Sequence, residues 1–132
     1  MVIFIILSSC VIQNPPPSLE EIKEEETAEV EEKQYISASL LKKLIDEKDK
    51  DYMLIDVRTE EEYNEGHIPT AIHIPHTEIG KHIDEIPKYK LIIVYCKVGV
   101  RASIAASKLR EMSYKKVINF GSIDSYRYEL DK

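Results

Sequence analysis

The sequence predicts an α/β domain in which a parallel sheet carries helices on both faces. Short apolar segments rich in β-branched residues alternate along the chain with segments of helical periodicity. The apolar segments are continuous rather than alternating with polar residues, which is typical of strands that are buried on both faces. At 132 residues the chain is long enough for one such domain.

The N-terminal end has the pattern of an export signal. Met1–Leu7 is apolar and is followed by Ser8, Ser9 and Cys10. Such a run is too short to span a bilayer, and it matches the apolar core and cleavage site of a secretory signal. Leu7–Cys10 resembles a bacterial lipobox, whose cysteine is lipid-modified. We therefore expect residues 1–10 to be a signal peptide and Cys10 to anchor an exported lipoprotein, facing the periplasm or the cell exterior. An apolar N-terminus on a cytoplasmic protein is the alternative.

Residues 11–34 have the composition of a linker. Pro15–Pro17 is stiff and extended, and Ser18–Gln34 contains eight Glu and two Lys. Repulsion between like charges favours a solvated spacer, although an amphipathic helix is also open. The remainder of the chain holds 16 acidic and 16 basic residues, so the net charge of −6 lies in this segment. A neutral domain offers no electrostatic basis for binding nucleic acid.

The globular domain is predicted over residues 35–132. Ser37 can cap a first helix, and Tyr52–Val57 has the pattern of a buried strand. The apolar face of that first helix is predicted to consist of Leu40, Leu41, Leu44 and Ile45.

A short second helix is predicted from a capping box. Thr59 and Glu62 are spaced as such a box requires, so the helix covers Glu60–Glu65 and ends at Gly66. A short strand follows at Ala71–Ile74.

The second half of the domain repeats this alternation. A short helix is predicted at Thr77–Ile86, a buried strand at Leu91–Tyr95 and a last strand at Val117–Phe120. A further turn of helix is expected after Gly121, capped by Ser122. The long helix between the last two strands has a narrow face of mostly small residues, namely Ala102, Ala105, Ala106, Leu109 and Met112.

Cys96 follows the strand Leu91–Tyr95, at the sheet edge where open α/β sheets bind ligands. A loop that feeds a helix aims backbone N–H groups and the helix dipole inward, and Lys97 and Arg101 add two cations. Such surroundings stabilise a thiolate at neutral pH. Gly99 permits the positive φ that a tight loop needs. The alternative is a small buried hydrophobe, which on composition alone is the commoner role of a free cysteine.

Three stretches resemble one family. Cys96–Arg101, with the sequence CKVGVR, is similar to the active-site loop of the rhodanese-like sulfurtransferases. Leu54–Pro75 resembles the upstream signature of that family, and Val117–Tyr126 resembles its closing segment. Their order and spacing agree from about Tyr35 to Leu130. The resemblance implies a rhodanese-like α/β fold with a parallel five-stranded sheet and helices on both faces.

The resemblance also implies a sulfurtransferase. Cys96 would accept sulfane sulfur from a small anionic donor, thiosulfate or polysulfide, as a persulfide and pass it to a thiol or cyanide. No cofactor beyond this covalent intermediate is implied. The donor would be bound by the loop residues Lys97, Val98, Gly99, Val100 and Arg101. Arg101 and Lys97 would attract its charge, although Lys97 could equally be a solvent-facing cation.

Three further residues are expected to support the site. The resemblance to the Asp-Val-Arg signature implies that Asp56 and Arg58, at the sheet edge of Cys96, brace loops through hydrogen bonds and ion pairs. His67 is expected to belong to the loop scaffold. The four histidines form no recognisable ligand grouping, so no metal is assigned. We expect a monomer whose membrane contact is the lipid anchor alone.

The chain departs from the family pattern at the loop. Val98 and Val100 stand where small polar residues are common, so the pocket mouth loses side-chain donors and admits polysulfides, persulfides or a protein donor. Thr70, Ser122 and Tyr126 also differ, and these changes are expected to affect packing more than chemistry.

Two other functions stay open. Phosphatases and arsenate reductases of similar fold have five residues between cysteine and arginine, whereas four separate Cys96 from Arg101. That narrower loop suits a single sulfur atom better than a tetrahedral oxyanion. The second alternative is a binding or sulfur-carrier module that acts with a partner protein.

Overall fold

The computed structural model describes residues 35–132, which form an α/β domain around a parallel sheet. The strands lie in the order β2-β1-β3-β4, and each neighbouring pair is parallel. Their bounds are β1 Tyr52–Asp56, β2 Ile72–His73, β3 Leu91–Cys96 and β4 Val117–Ser122. The predicted α/β fold with a parallel sheet is confirmed. The predicted signal peptide, Cys10 and the acidic linker lie outside the described residues.

The sheet of the described domain has four strands, so the expectation of a fifth is corrected. Tyr35–Ser37, the segment before the first helix, pairs with no strand. Ile36 packs its side chain against the apolar cluster on one face of the sheet, but its backbone joins no ladder. The four strands are those that the apolar segments indicate.

Helices cover both faces, as predicted. They are α1 Ala38–Asp46, α2 Glu60–Glu65 and α3 Val100–Glu111, together with 3-10 helices at His76–Glu85 and Ile123–Ser125. The Ser37 hydroxyl accepts the Leu40 N–H at 3.1 Å, and Thr59 and Glu62 form both halves of the capping box. The helix expected at Thr77–Ile86 is a 3-10 helix, and it is interrupted at His82 by non-helical backbone angles.

Two apolar cores lie on opposite sides of the sheet because β3 alternates between them. Ile92, Val94 and Cys96 face α3 and the longer 3-10 helix. Ile93 and Tyr95 face α1 and the C-terminal segment. The small-residue face of α3 is fully buried at Ala102, Ala105, Ala106 and Leu109, and Met112 packs at its end.

Some element ends differ from the prediction. Leu40 is 48% exposed, so the buried face of α1 is narrower than its spacing suggests. The strand expected at Ala71–Ile74 pairs only over Ile72–His73, while β4 extends two residues further, to Ser122. The helix α3 begins at Val100, so only three residues separate it from β3. Within residues 35–132 no helix is long and apolar enough to cross a membrane.

Candidate active site

The sulfur of Cys96 lies at the junction of β3 and α3. Cys96 is fully buried, and its side chain faces α3. The backbone N–H of Gly99 donates to Sγ at 2.9 Å, and that of Ala102 donates at 3.4 Å. Burial alone would also suit a cysteine of the apolar core. Two N–H groups converging on one sulfur at a helix N-terminus stabilise an anion there.

The turn that creates this geometry depends on Gly99. Gly99 caps α3 with a φ of +98°, a conformation that is strained for residues with a Cβ. Its carbonyl accepts the first helical hydrogen bond, from Ser103 N–H at 2.9 Å, while its own N–H points at the sulfur. The positive φ therefore lets one residue start the helix and donate to Cys96.

The end of β4 braces the loop from the neighbouring strand. The Ser122 hydroxyl donates to the carbonyl of Lys97 at 2.6 Å, and Asn119 Nδ2 donates to the carbonyl of Gly99 at 3.5 Å. The register between β3 and β4 shifts beside these residues, so the side chains of β4 are re-aimed next to the loop. Ser122 departs from the family pattern, and this change was expected to affect packing. Its hydroxyl instead hydrogen-bonds to the loop backbone. Asn119 carried no sequence signal for this role.

Both cations of the loop are paired with carboxylates that the sequence did not assign to the site. Lys97 Nζ lies 3.3 Å from Asp124 Oδ1. Arg101 donates from Nη1 to Glu62 Oε1 at 2.7 Å and from Nη2 to Oε2 at 3.0 Å. The hydrogen bonds from Arg101 are the main cause that lowers the pKa of Glu62 to about 2. The sequence predicts Glu62 as a capping residue, but it does not predict the pairing with Arg101, which lies 39 positions away.

Asp56 and Arg58 form a buried ion pair. Arg58 donates to Asp56 through Nε and Nη2, with 2.6 Å from Nη2 to Oδ2, and Nη2 also donates to the carbonyl of Gly66 at 2.6 Å. Tyr95 donates to Asp56 Oδ2 at 2.8 Å and accepts the Ile68 N–H at 3.0 Å. These bonds hold the Gly66–Ile68 segment against the sheet, on the opposite face from the Cys96 side chain.

His67 lies in that segment. Its ring stacks on Tyr63 at 3.8 Å between centroids, its Nδ1 is 2.9 Å from the Tyr63 carbonyl, and its backbone pairs with Asp131 in both directions. These contacts give His67 a structural role, and none of them involves the loop N–H groups that donate to Cys96 Sγ. Val98 and Val100 are 72% and 62% exposed, so both present apolar surface beside the loop.

The described domain has no cluster of side chains that could bind a metal ion. Residues 35–132 contain no group of three His, Cys, Asp or Glu side chains placed to hold an ion. The two backbone N–H groups that donate to Cys96 Sγ support the chemistry of an anionic sulfur.

Comparison with known proteins gives the family. Residues 37–128 match the Rhodanese-like domain family. YrkF of Bacillus subtilis, named for a sulfur-carrier role, is 37% identical over 84 residues, which are 64% of this chain but only 45% of YrkF. An Allochromatium vinosum protein named sulfurtransferase is 36% identical over 83 residues, covering 63% of this chain and 76% of that protein.

A solved structure gives the same result. A crystal structure of a Bacillus halodurans protein matches with a TM-score of 0.67 and 30% identity, covering 80% of each chain. The matched residues cover most of the described domain and include the loop from Cys96 to Arg101. The chain belongs to the rhodanese-like family, and the relatives it matches are named for sulfur transfer and sulfur carriage.

Proposed function

We propose that the protein is a sulfurtransferase that moves sulfane sulfur through a persulfide on Cys96. The observation that carries this proposal is the pair of backbone N–H groups, from Gly99 and Ala102, that point at Sγ. Sγ carries the negative charge when the Cys96 thiolate attacks the donor and when it leaves the persulfide, and preformed N–H donors stabilise such a charge without reorganising. Membership of the rhodanese-like family supports the same reaction class.

The proposed reaction has two displacements. The Cys96 thiolate attacks the outer sulfur of the donor, so a new S–S bond forms and the donor's S–S bond breaks. With thiosulfate the leaving group is sulfite, which takes the bonding electron pair. A thiolate or cyanide acceptor then attacks the outer sulfur, and the Cys96 thiolate leaves. Neither step needs a proton carrier, a metal or an external oxidant.

Intact mass spectrometry tests the proposal. The full chain is incubated with thiosulfate or with polysulfide, and its mass is compared with that of Cys96→Ser. We expect the wild type alone to gain one sulfur, and cyanide to remove it with release of thiocyanate. Cys10 provides an internal control, since peptide masses assign the added sulfur to one of the two cysteines. An unmodified Cys96 with every donor would refute the proposal.

A sulfur carrier is the second candidate. Val98 and Val100 are exposed beside the loop, and apolar side chains there would suit contact with a protein acceptor. A carrier would form the persulfide but turn over slowly with cyanide or small thiols. Steady-state turnover with small acceptors therefore separates the two functions.

We also propose that Cys10 anchors the protein to a membrane. The support is the apolar Met1–Leu7 segment followed by the lipobox-like Leu7–Cys10. Wild-type protein should fractionate with membranes and enter a detergent phase, whereas Cys10→Ala should not be processed to the lipidated form. Recovery of both in the cytosol with Met1 intact would refute the anchor and leave the sulfurtransferase proposal unaffected.

A further inference from the structure

Glu62 holds the loop arginine in a fixed geometry. Arg101 lies in the first turn of α3 and Glu62 in the first turn of α2, and their two hydrogen bonds run side by side at 2.7 and 3.0 Å. Such a bidentate pair fixes the plane of the guanidinium as well as its position. The two side chains are 26% and 29% exposed, so solvent and salt screen the pair less than a pair on the open surface.

This pair acts on the charge around Cys96. Arg101 directly precedes Ala102, whose N–H donates to Cys96 Sγ at 3.4 Å, so the ion pair lies in the same helical turn as a hydrogen-bond donor to the sulfur. Glu62 is ionised at neutral pH because its pKa lies near 2. An approaching donor therefore meets a cation whose charge a carboxylate already offsets. Lys97, the other loop cation, is paired with Asp124 through a single contact between two exposed side chains.

We propose that Glu62 is a specificity-determining residue, which offsets Arg101 so that Cys96 favours sulfane donors with one negative charge or none over dianionic thiosulfate. The proposal rests on the proposed function, because it names the class of donor for that reaction. A site built to collect a dianion would leave its cations available to it. Here each loop cation is bound to a carboxylate of the same domain.

The charge dependence can be measured with two matched donors. Thiosulfate carries two negative charges, and methanethiosulfonate carries one because a methyl group replaces an oxyanion. Both transfer their outer sulfur to a thiolate, and they release sulfite and methanesulfinate respectively. Removing the Glu62 charge changes the free energy of each encounter in proportion to the charge of the donor. The ratio of the two rates therefore isolates electrostatics from other effects of the substitution.

Glu62→Gln is the main variant, since glutamine also serves at the third position of a capping box and preserves the α2 cap. We expect Glu62→Gln to raise the rate of persulfide formation with thiosulfate, relative to methanethiosulfonate, by roughly fivefold for the one unit of charge difference. Arg101→Ala should shift that ratio in the opposite direction. Glu61→Gln, an exposed residue of the same helix turn, is the matched control and should leave the ratio unchanged.

A second readout needs no sulfur transfer. Alkylation of Cys96 by anionic iodoacetate and neutral iodoacetamide is followed by peptide mass spectrometry in the full chain. Glu62→Gln should raise the iodoacetate-to-iodoacetamide ratio, and Arg101→Ala should lower it. If both variants change the two reagents equally, the pair only ties the loop down and the proposal is wrong. If wild-type Cys96 formed no persulfide, the proposed function would be refuted. The alkylation ratio would still decide the role of Glu62.

Discussion

Tyr95 and Asp56 are direct partners across β1 and β3, and the Tyr95 hydroxyl donates to Asp56 Oδ2 at 2.8 Å. Both residues are fully buried. Burial and the neighbouring Asp56 charge raise the pKa of Tyr95, so its hydroxyl is a neutral donor at neutral pH. The same hydroxyl accepts the Ile68 N–H. One phenol thus satisfies a buried carboxylate and a buried backbone donor at once.

Tyr95→Phe should destabilise the domain without disabling Cys96. The change leaves the Ile68 N–H unsatisfied, and we expect the free energy of unfolding to fall by about 1–3 kcal/mol. Tyr95 and Cys96 are adjacent in β3 and point to opposite faces of the sheet, so the sulfur keeps its donors. Urea denaturation and the rate of persulfide formation measure the two effects. A large loss of rate with unchanged stability would contradict this separation.

Asp56→Asn should be more damaging, because it leaves the Arg58 charge buried without its partner. Arg58 is 5% exposed and Asp56 is 0% exposed. Removing one member of such a pair costs about 3–5 kcal/mol. Chemical denaturation should show this loss, while Asp84→Asn, an exposed carboxylate, should change stability by less than about 0.5 kcal/mol.

The paired replacement Asp56→Asn with Arg58→Met is the control for that argument. Removing both charges should restore part of the lost stability, since no uncompensated ion then stays buried. If the double variant is as unstable as the single variant, hydrogen bonds to the Gly66–Ile68 segment rather than charge pairing dominate this network.

Acid should weaken the domain partly through Glu62. Its pKa is lowered from 4.5 to about 2 by Arg101, so the native state favours the ionised form more strongly than the unfolded chain does. The stabilisation is complete above pH 4.5 and is lost as the pH falls through about 2. We expect Glu62→Gln to be about 1 kcal/mol less stable than wild type near pH 6, because partial exposure screens the pair.

The difference in the free energy of unfolding between wild type and Glu62→Gln should shrink between pH 5 and pH 2, because the wild type loses its ion pair there. Urea denaturation across this range gives both curves, and Glu61→Gln supplies the control for a carboxylate without the arginine. A constant gap between wild type and Glu62→Gln down to the lowest pH would mean that the charge of Glu62 contributes nothing to stability.

Local rules predicted those parts of the fold that depend on neighbouring residues. The caps at Ser37 and Thr59, the helix end at Gly66 and the buried face of α3 all follow from short-range spacing, and the structure contains each of them. Cys96 was recognisable because a strand, a cysteine and a glycine loop follow one another directly in the sequence.

The partners of the loop were not predictable in this way. Glu62, Asn119 and Asp124 reach the loop from α2, from β4 and from the short helix that follows β4. Their contacts depend on strand order and on the shifted register of β4, which no local pattern encodes. The sequence therefore identified the cations of the site but not the carboxylates that offset them.

Gly99→Ala tests whether the loop geometry itself supports the reaction at Cys96. A Cβ on Gly99 would lie 3.6 Å from the Cα of Gly121, an ordinary contact, so the cost comes from the backbone conformation rather than from a clash. Holding alanine at a φ of +98° costs about 1–2 kcal/mol. Part of that strain is relieved if the turn moves, which draws the Gly99 N–H away from Sγ. We therefore expect lower stability and at least a tenfold slower formation of the persulfide, since a lost donor of this kind costs about 10²–10³ in the rate of other enzymes.

Gly80→Ala is the matched control, because its φ lies outside the left-handed region and the new methyl group would meet only the flexible end of Lys108, at 3.6 Å. Stopped-flow measurement of persulfide formation, with urea denaturation alongside, compares the two variants. If Gly99→Ala lost stability but kept the wild-type rate, the Ala102 N–H alone would suffice to hold the anionic sulfur.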